Sequence, residues 1–225
     1  QLYDNAAVTG WHSGYPDAHA KIDLDTFRVL PDEPDTACFL ADFWLPGGKK
    51  PHPACPRNLL KRIIARAETS GYRPMMSCEL EFWLFDEDAD SLQAKGFAQL
   101  DSLTPGMFGY SWVRAGQLSE LIHEVMDTMS AFDIPIEGLH TETGPGVWEA
   151  ALTYSDALEA ADRAALFKST MKQLVAKRGL SVTFMAKWNA KLPGSSGHIH
   201  QSLWDSEKQT NLFYDAKDPN GLSAK

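Results

Sequence analysis

The sequence predicts an α+β fold in which antiparallel strands are combined with amphipathic helices. Segments with strand composition are more numerous than a helical bundle allows, and strands and helices follow one another in a mixed order rather than as regular βαβ units. Residues 137–152 add a hairpin signal, because two strand-like runs flank a Gly-Pro-Gly turn. The 225 residues, 44% of them hydrophobic, are enough to fill a core.

The first third of the chain is expected to contain short strands, a linker and one helix. Residues 1–50 hold apolar runs among Gly, Pro and Asp, which is typical of strands and turns. Pro and Gly cluster in residues 46–55 and the periodicity is lost, which indicates a linker. Residues 57–70 have helical spacing, and Gly71 is expected to end this helix. Its predicted apolar stripe is Leu60, Ile63, Ile64 and Ala67.

The rest of the chain is expected to alternate strands with two longer helices. Strands are predicted at residues 75–85, 180–188 and 197–204. Helical spacing of apolar residues predicts helices at 115–132 and 155–179. For the second helix we expect Ser155 to be the N-cap and Gly179 to end it.

Charge and cysteine content narrow the class of partner. The net charge of -9 and the pI near 5.2 argue against a surface for nucleic acid or anionic membrane, which would concentrate Lys and Arg. No apolar run is long enough for a membrane-spanning helix, and the first residues lack the pattern of a signal peptide. The three cysteines show no CxxC spacing, which fits a reducing cytosol. We therefore expect a cytoplasmic protein that binds small molecules.

Two carboxylates in the predicted strand "CELEF" are the first candidates for chemistry. Alternate residues of a strand point to the same face, so Glu79 and Glu81 are expected to stand side by side. Neighbouring carboxylates repel each other and are costly to bury, and a bound cation would remove that cost. The alternative at this point is a strand with one solvated face.

The predicted hairpin carries a second pair of carboxylates. Glu142 and Glu149 flank the turn in "HTETGPGVWEA", so pairing of the two strands would bring the side chains close together. An ordinary surface hairpin with two solvated glutamates is the alternative.

The stretch "GHIHQS" places His198, His200 and Ser202 on one face of a strand. One or two imidazoles among four glutamates form a mostly hard, oxygen-rich donor set, which favours Mg²⁺ or Mn²⁺ over a structural Zn²⁺. Zinc hydrolases also use His-x-His on a strand, but further His and Asp ligands follow there. Here no histidine follows His200.

Taken together, the three segments resemble the signature blocks of the glutamine synthetase superfamily. The resemblance is carried by "CELEFWLF", "HTETGPGVWE" and "VTFMAKWNAKLPGSSGHIHQSL", in this order. It implies that residues 1–50 are the C-terminal part of a small β-grasp domain. It also implies that residues 51–225 are the N-terminal part of the catalytic domain, where antiparallel strands form an active-site half-barrel flanked by helices.

The resemblance also implies two metal sites in this part of the chain. Glu81, Glu142 and Glu149 match the ligands of the metal that positions glutamate and activates ammonia. Glu79 and His198 match ligands of the metal that bridges the ATP phosphates. The implied cofactors are two or more Mg²⁺ or Mn²⁺ ions per site, with ATP as co-substrate.

Four further positions receive substrate roles from the same resemblance. His200 and Ser202 match residues that contact the nucleotide, and the backbone of Gly194 matches a contact to the substrate glutamate. Asp17 matches the ammonium-binding aspartate, although it stands in "YPD" where the family usually has "SD".

The implied activity is ATP-dependent ligation of ammonia, or another amine, to the γ-carboxylate of glutamate through γ-glutamyl phosphate. Pro193 and Ser196 depart from the usual pattern in a way typical of the divergent class that includes γ-glutamyl ligases for other amines. A remaining metal glutamate and the phosphate-binding arginines have no match here, which implies a C-terminally incomplete segment. The family also implies a homo-oligomeric ring, possibly a dodecamer. A non-catalytic structural member of the fold and an unrelated zinc hydrolase remain the alternatives.

Overall fold

The computed structural model describes His12, Gly14 and residues 17–224. The predictions for the other residues of the first sixteen lie outside the described part. The chain forms two compact units, Gln1–Ala65 and Arg66–Lys225. The elements have the predicted α+β class, and every pairing between the described strands is antiparallel. The domain division at residue 50 stays a prediction.

The first unit contains a hairpin of two long strands and the start of a helix. Strand β1 (His19–Leu30) pairs with β2 (Glu33–Trp44), and the register shifts between Asp23 and Arg28. Helix α1 (Pro56–Thr69) begins after the predicted linker.

Ion pairs fix the start of α1 to the hairpin. The Arg57 guanidinium lies 2.7 Å from Asp23 and 2.9 Å from Asp42, measured from Nη1 to the carboxylate oxygens. Lys61 Nζ, one turn further along, lies 2.9 Å and 2.5 Å from the same two side chains. Between them, buried Asn58 donates from Nδ2 to the Phe43 carbonyl at 2.8 Å. Two aspartates and two cations thus form one cluster.

The predicted apolar stripe of α1 is only partly correct. Leu60, Ile64 and Ala67 are half-buried, but Ile63 is 48% exposed. The side of α1 that meets the hairpin is centred instead on Asn58 and on the ion pairs of Arg57.

The second unit consists of a six-stranded sheet and four helices. Its strands are β3 (Tyr72–Phe85), β4 (Ile136–Thr141), β5 (Val147–Leu152), β6 (Ser155–Asp156), β7 (Ser181–Thr183) and β8 (Gly197–Asp205). Its helices are α2 (Ala89–Ala94), α3 (Trp112–Gln117), α4 (Ser119–Ala131) and α5 (Ala157–Lys177).

Strand β3 is the centre of this sheet. Glu79 is paired with Ala151 of β5 on one edge and with His198 of β8 on the other. Further along β3, β6 continues the first edge and β7 the second, while β4 extends the sheet beyond β5. Elements distant in sequence are thereby brought against one strand.

The two faces of β3 have different roles. Leu80, Phe82 and Leu84 lie on one face, where the Phe82 ring packs against Phe167 of α5 with a centroid distance of 6.0 Å. On the other face, Trp83 and Phe85 are almost fully buried against a tryptophan of the loop that follows β7. Glu79 and Glu81 continue that second face, so the carboxylates begin where the aromatic packing ends.

Three predicted elements differ from the structure. The helix predicted at 115–132 is interrupted at Leu118, whose φ of -111° and ψ of 22° leave the helical region. The strand predicted at 180–188 ends at Thr183, because the chain turns so that the Met185 carbonyl accepts from Trp83 Nε1. Ser155 is not a helix cap: it pairs with Met76 in β6, and α5 starts after Asp156.

None of the helices within the described residues combines the length and the apolarity that crossing a bilayer requires.

Candidate active site

Strand register brings the predicted carboxylates together. Glu81 on β3 lies directly opposite Glu149 on β5, and Glu79 lies directly opposite His198 on β8. Directly paired residues of an antiparallel sheet share a face. Candidate ligands from three segments of the sequence therefore meet on one surface of the sheet.

The turn that carries Glu142 is fixed by its backbone. The amide of Glu142 donates to the Val147 carbonyl at 2.9 Å, which closes the hairpin. Gly146 has a φ of +75°, and a Cβ there would lie 2.5 Å from the Leu84 carbonyl oxygen, so only glycine fits. Its amide donates to the carbonyl of Thr104 at 2.8 Å. The turn is thus held between β3 and a loop.

The side chains form two groups of ligand atoms that share Glu149. In each group, all the ligand atoms lie within 4.8 Å of one another. The first group is Glu79, Glu149 and His198, and the second is His140, Glu142 and Glu149. Each combines carboxylate oxygens with one imidazole nitrogen, which is a suitable donor set for Mg²⁺ or Mn²⁺.

The histidines lie close to the carboxylates. Glu79 Oε2 is 3.2 Å from His198 Nδ1 and 3.0 Å from His200 Nε2. Glu149 is approached less closely, at 4.0 Å by His198 Nδ1 and at 3.7 Å by His140 Nε2. His198 therefore lies closer to Glu79 than to Glu149.

The pKa values of two carboxyls move in opposite directions. The hydrogen bond to His200 is the main cause that lowers the pKa of Glu79. The pKa of Glu149, which is only 7% exposed, is raised, first by burial and then by the negative charge of Glu79. An ionised Glu149 is therefore unfavourable here unless a cation accompanies it, so the residues fit a divalent metal.

Ser196 holds the fourth carboxylate. Its amide donates to Glu81 Oε2 at 2.9 Å, and its hydroxyl donates to Glu81 Oε1 at 2.5 Å. Although Glu81 lies opposite Glu149 in the register, its oxygens belong to neither ligand group. The resemblance had implied that Glu81 joins Glu142 and Glu149, and that role stays a prediction.

The remaining predicted residues lie outside both ligand groups. Ser202 accepts a hydrogen bond from Trp204 Nε1 at 3.0 Å, and His200 is exposed. A Cβ on Gly194 would lie 2.9 Å from the Ala186 carbonyl oxygen, so only glycine fits at this position without a shift of the backbone. Asp17 is an exposed residue of the first unit, and its predicted role is untested.

Two residues at the site were missed from the sequence. The Tyr110 ring stacks on His140 with a centroid distance of 4.7 Å, and its hydrogen bond to Glu142 raises the tyrosine pKa to about 12. His140 could have been found, because it stands two residues before Glu142, at the end of the predicted strand. Tyr110 carries no such signal, since it lies in a loop that reaches the site through a hydrogen bond from the Tyr110 amide to the Thr141 carbonyl.

Comparison with known proteins identifies the family of most of the chain. Residues 53–225 match the family model of the glutamine synthetase catalytic domain. The chain is 46% identical to type-1 glutamine synthetase 2 of Dictyostelium discoideum over 98% of its length, which is 42% of that protein. It is 37% identical to a glutamate–isopropylamine ligase of a Pseudomonas species, over 99% of the chain and 48% of that protein.

A solved structure has a similar fold. A chain from a complex of GmaS with ADP superposes with a TM-score of 0.80 at 29% sequence identity, covering 92% of this chain and 46% of that one. The chain thus spans less than half the length of each of these three proteins. The family match covers most of the sequence and includes every carboxylate and histidine of the two ligand groups. The chain belongs to the glutamine synthetase catalytic-domain family.

Proposed function

We propose that this chain provides part of the active site of a ligase that uses ATP to join ammonia or another amine to the γ-carboxylate of glutamate. The observation that carries the proposal is the pair of ligand groups that share Glu149, within a segment that matches the catalytic domain. The relatives' names support the reaction class: they include glutamine synthetases and ligases that join glutamate to isopropylamine, ethanolamine or aniline.

The reaction has two steps. An oxygen of the glutamate γ-carboxylate attacks the γ-phosphorus of ATP, and ADP leaves. The amine nitrogen then attacks the acyl carbon of γ-glutamyl phosphate, inorganic phosphate leaves, and the nitrogen loses a proton. Divalent cations, when bound, neutralise the charge that develops on the phosphoryl group, and such neutralisation with positioning provides most of the catalysis in phosphoryl transfer.

The residues of this chain would bind and orient the reactants. In our assignment, Glu79 and His198 hold the cation on the nucleotide side, while Glu142 and Glu149 hold the cation on the glutamate side, with Glu81 as their third ligand. His200 and Ser202 are assigned to the nucleotide and the Gly194 backbone to glutamate. Asp17, by resemblance, is assigned to the ammonium ion.

The larger assembly is part of the same proposal. Residues 1–50 are assigned to the end of a β-grasp domain and residues 51–225 to the start of the catalytic domain. We infer a homo-oligomeric ring in which neighbouring subunits complete each active site. Light scattering on the full-length protein measures the subunit number, and a monomer that is active would contradict this arrangement.

The function is tested by phosphate release from ATP in the full-length protein. We expect release only when glutamate, Mg²⁺ or Mn²⁺ and an amine are all present. A panel of ammonium, isopropylamine, ethanolamine and aniline, with the amide product identified by mass spectrometry, determines the acceptor. Release that does not depend on glutamate would contradict the proposal. Calorimetric titration with Mn²⁺ and ATP separates it from a non-catalytic role, for which neither ligand would give heat.

A further inference from the structure

The contact between Ser196 and Glu81 involves three hydrogen bonds. Two run from Ser196 to the carboxylate, one from its amide and one from its hydroxyl. The third runs the other way, from the Glu81 amide to the Ser196 carbonyl at 3.2 Å. Each oxygen of the carboxylate therefore already has a donor, and both donors belong to one residue.

The main chain of Ser196 is held by backbone hydrogen bonds, whereas a glutamate side chain has several staggered rotamers by which its carboxylate can change partners. The backbone bond to Glu81 extends the pairing of β8 with β3 by one residue beyond Gly197. The preceding Ser195 also anchors this loop. Its amide donates a hydrogen bond to the Ala186 carbonyl at 2.7 Å, and its hydroxyl donates to the Met185 carbonyl at 3.1 Å. A change at this contact would thus occur by rotation of the carboxylate, not by movement of the serine.

Glu81 is the carboxylate that the neighbouring ligand group lacks. It lies directly opposite Glu149, the residue shared by both groups, and its charge contributes to the raised pKa of Glu149. Its oxygens nevertheless point to Ser196 and lie outside both groups. To bind a cation beside Glu149, the Glu81 side chain has to give up at least one bond to Ser196.

We propose that Ser196 is a positioning residue that competes with the divalent cation for the carboxylate of Glu81. The inference rests on the proposed function, because it concerns the cation shared by Glu142 and Glu149. The serine holds Glu81 aside when the cation is absent and so lowers the affinity of that site. A residue without a hydroxyl at position 196 leaves Oε1 free and keeps the backbone bonds.

The test is the affinity of the full-length protein for Mn²⁺, measured by calorimetry and by electron paramagnetic resonance of the free ion. We expect Ser196→Ala to bind the cation about 3- to 10-fold more tightly, which is the effect of removing one competing hydrogen bond. Ser196→Thr keeps a hydroxyl and should restore the original affinity. Ser195→Ala is the matched control, because that hydroxyl donates to the Met185 carbonyl and not to Glu81.

A double-mutant cycle assigns the effect to the carboxylate. In a Glu81→Ala background we expect Ser196→Ala to leave Mn²⁺ affinity unchanged, since the carboxylate for which the serine and the cation compete is absent. Equal affinity of Ser196→Ala and the original protein would overturn the proposal, and so would weaker binding, which would mean that the serine supports the site. Either result leaves the proposed function intact if glutamate-dependent phosphate release persists. Mn²⁺ binding with the expected changes but without any phosphate release would instead overturn only the function.

Discussion

The two carboxylate clusters of this chain differ in where their counter-charges come from. In the first unit, Asp23 and Asp42 are paired with Arg57 and Lys61, and the hydrogen bond from Lys61 is the main cause that lowers the pKa of Asp23 to about 2. In the second unit, the carboxylates face one another and imidazoles, and the pKa of Glu149 is raised.

The difference separates a structural cluster from a binding site. Among the residues that the structure describes, no lysine or arginine is paired with Glu79, Glu142 or Glu149. A cluster that contains its own cations is complete when the chain folds. A cluster without them destabilises the fold through repulsion between the carboxylates. A cation that binds from solution relieves this repulsion, and the relief contributes to the affinity of the site.

The largest expected effect is at the shared carboxylate. Glu149→Gln removes a ligand from both groups, so we expect Mn²⁺ affinity and glutamate-dependent activity to fall by at least about 100-fold. The melting temperature of the metal-free protein should stay the same or rise, because the raised pKa means that ionised Glu149 disfavours the fold at neutral pH. Calorimetry and thermal melting measure the two effects.

The matched control for this variant is Glu137→Gln, which changes an exposed glutamate on the same hairpin. It should alter neither quantity. A metal-free Glu149→Gln protein that is markedly less stable would show that this carboxylate has a structural role like that of Asp42.

The second-largest effect is expected in the first unit, where removal of a carboxylate should lower stability. Asp42→Asn removes one of the two carboxylates that Arg57 and Lys61 share in a partly buried place, and we expect a loss of about 2–3 kcal/mol in the free energy of unfolding. Urea denaturation measures the loss. Asp35→Asn, on the same strand but exposed, should be neutral. Intrinsic Mn²⁺ affinity should not change in either variant, so a weakened metal site would contradict the separation of the two clusters.

The two clusters should also respond to different ranges of pH. Protons compete with the cation for Glu149, whose pKa is raised, so Mn²⁺ affinity is expected to fall by up to about 10-fold per pH unit as the medium becomes acidic. Asp23 has a lowered pKa: its contribution to stability is complete above the unfolded-state value of about 3.9 and is lost only as the pH falls toward 2. Titrating Mn²⁺ at several pH values, with acid unfolding of the metal-free protein alongside, would reveal any overlap of the two ranges.

The smallest effect concerns the more exposed cation of the first cluster. Lys61→Met leaves Arg57 in contact with both aspartates, so we expect a loss of only about 1 kcal/mol in the free energy of unfolding. Urea denaturation with Lys49→Met as the exposed control measures it. A loss as large as that of Asp42→Asn would show that the lysine, not the arginine, holds the cluster together.

Much of the site could be predicted, because alternation along a strand is a local property of sequence. It places Glu79 beside Glu81 and joins His198 with His200, whatever the strands pair with. Which residues lie opposite one another is set by tertiary register, and no local pattern indicates that Glu149 would be shared.

The errors in the fold have a similar cause. Serine is common at helix N-caps, but the backbone of Ser155 pairs with Met76 of β3 instead. The strand predicted to continue past Thr183 stops because the chain turns there, so that the Met185 carbonyl accepts a hydrogen bond from the indole N–H of buried Trp83. In both cases a contact with a residue distant in sequence overrides a local preference. The local sequence pattern contains no information about such contacts.

The shared position of Glu149 has a consequence for the order of loading. Two cations that use one carboxylate are not independent, because the first to arrive removes part of the negative charge that attracts the second. The binding isotherm is therefore expected to have two steps of unequal affinity, with a stoichiometry of two that is reached only at the higher metal concentration. At low metal supply the protein would exist as a half-loaded species, and the availability of the weaker ion would determine how many molecules are complete.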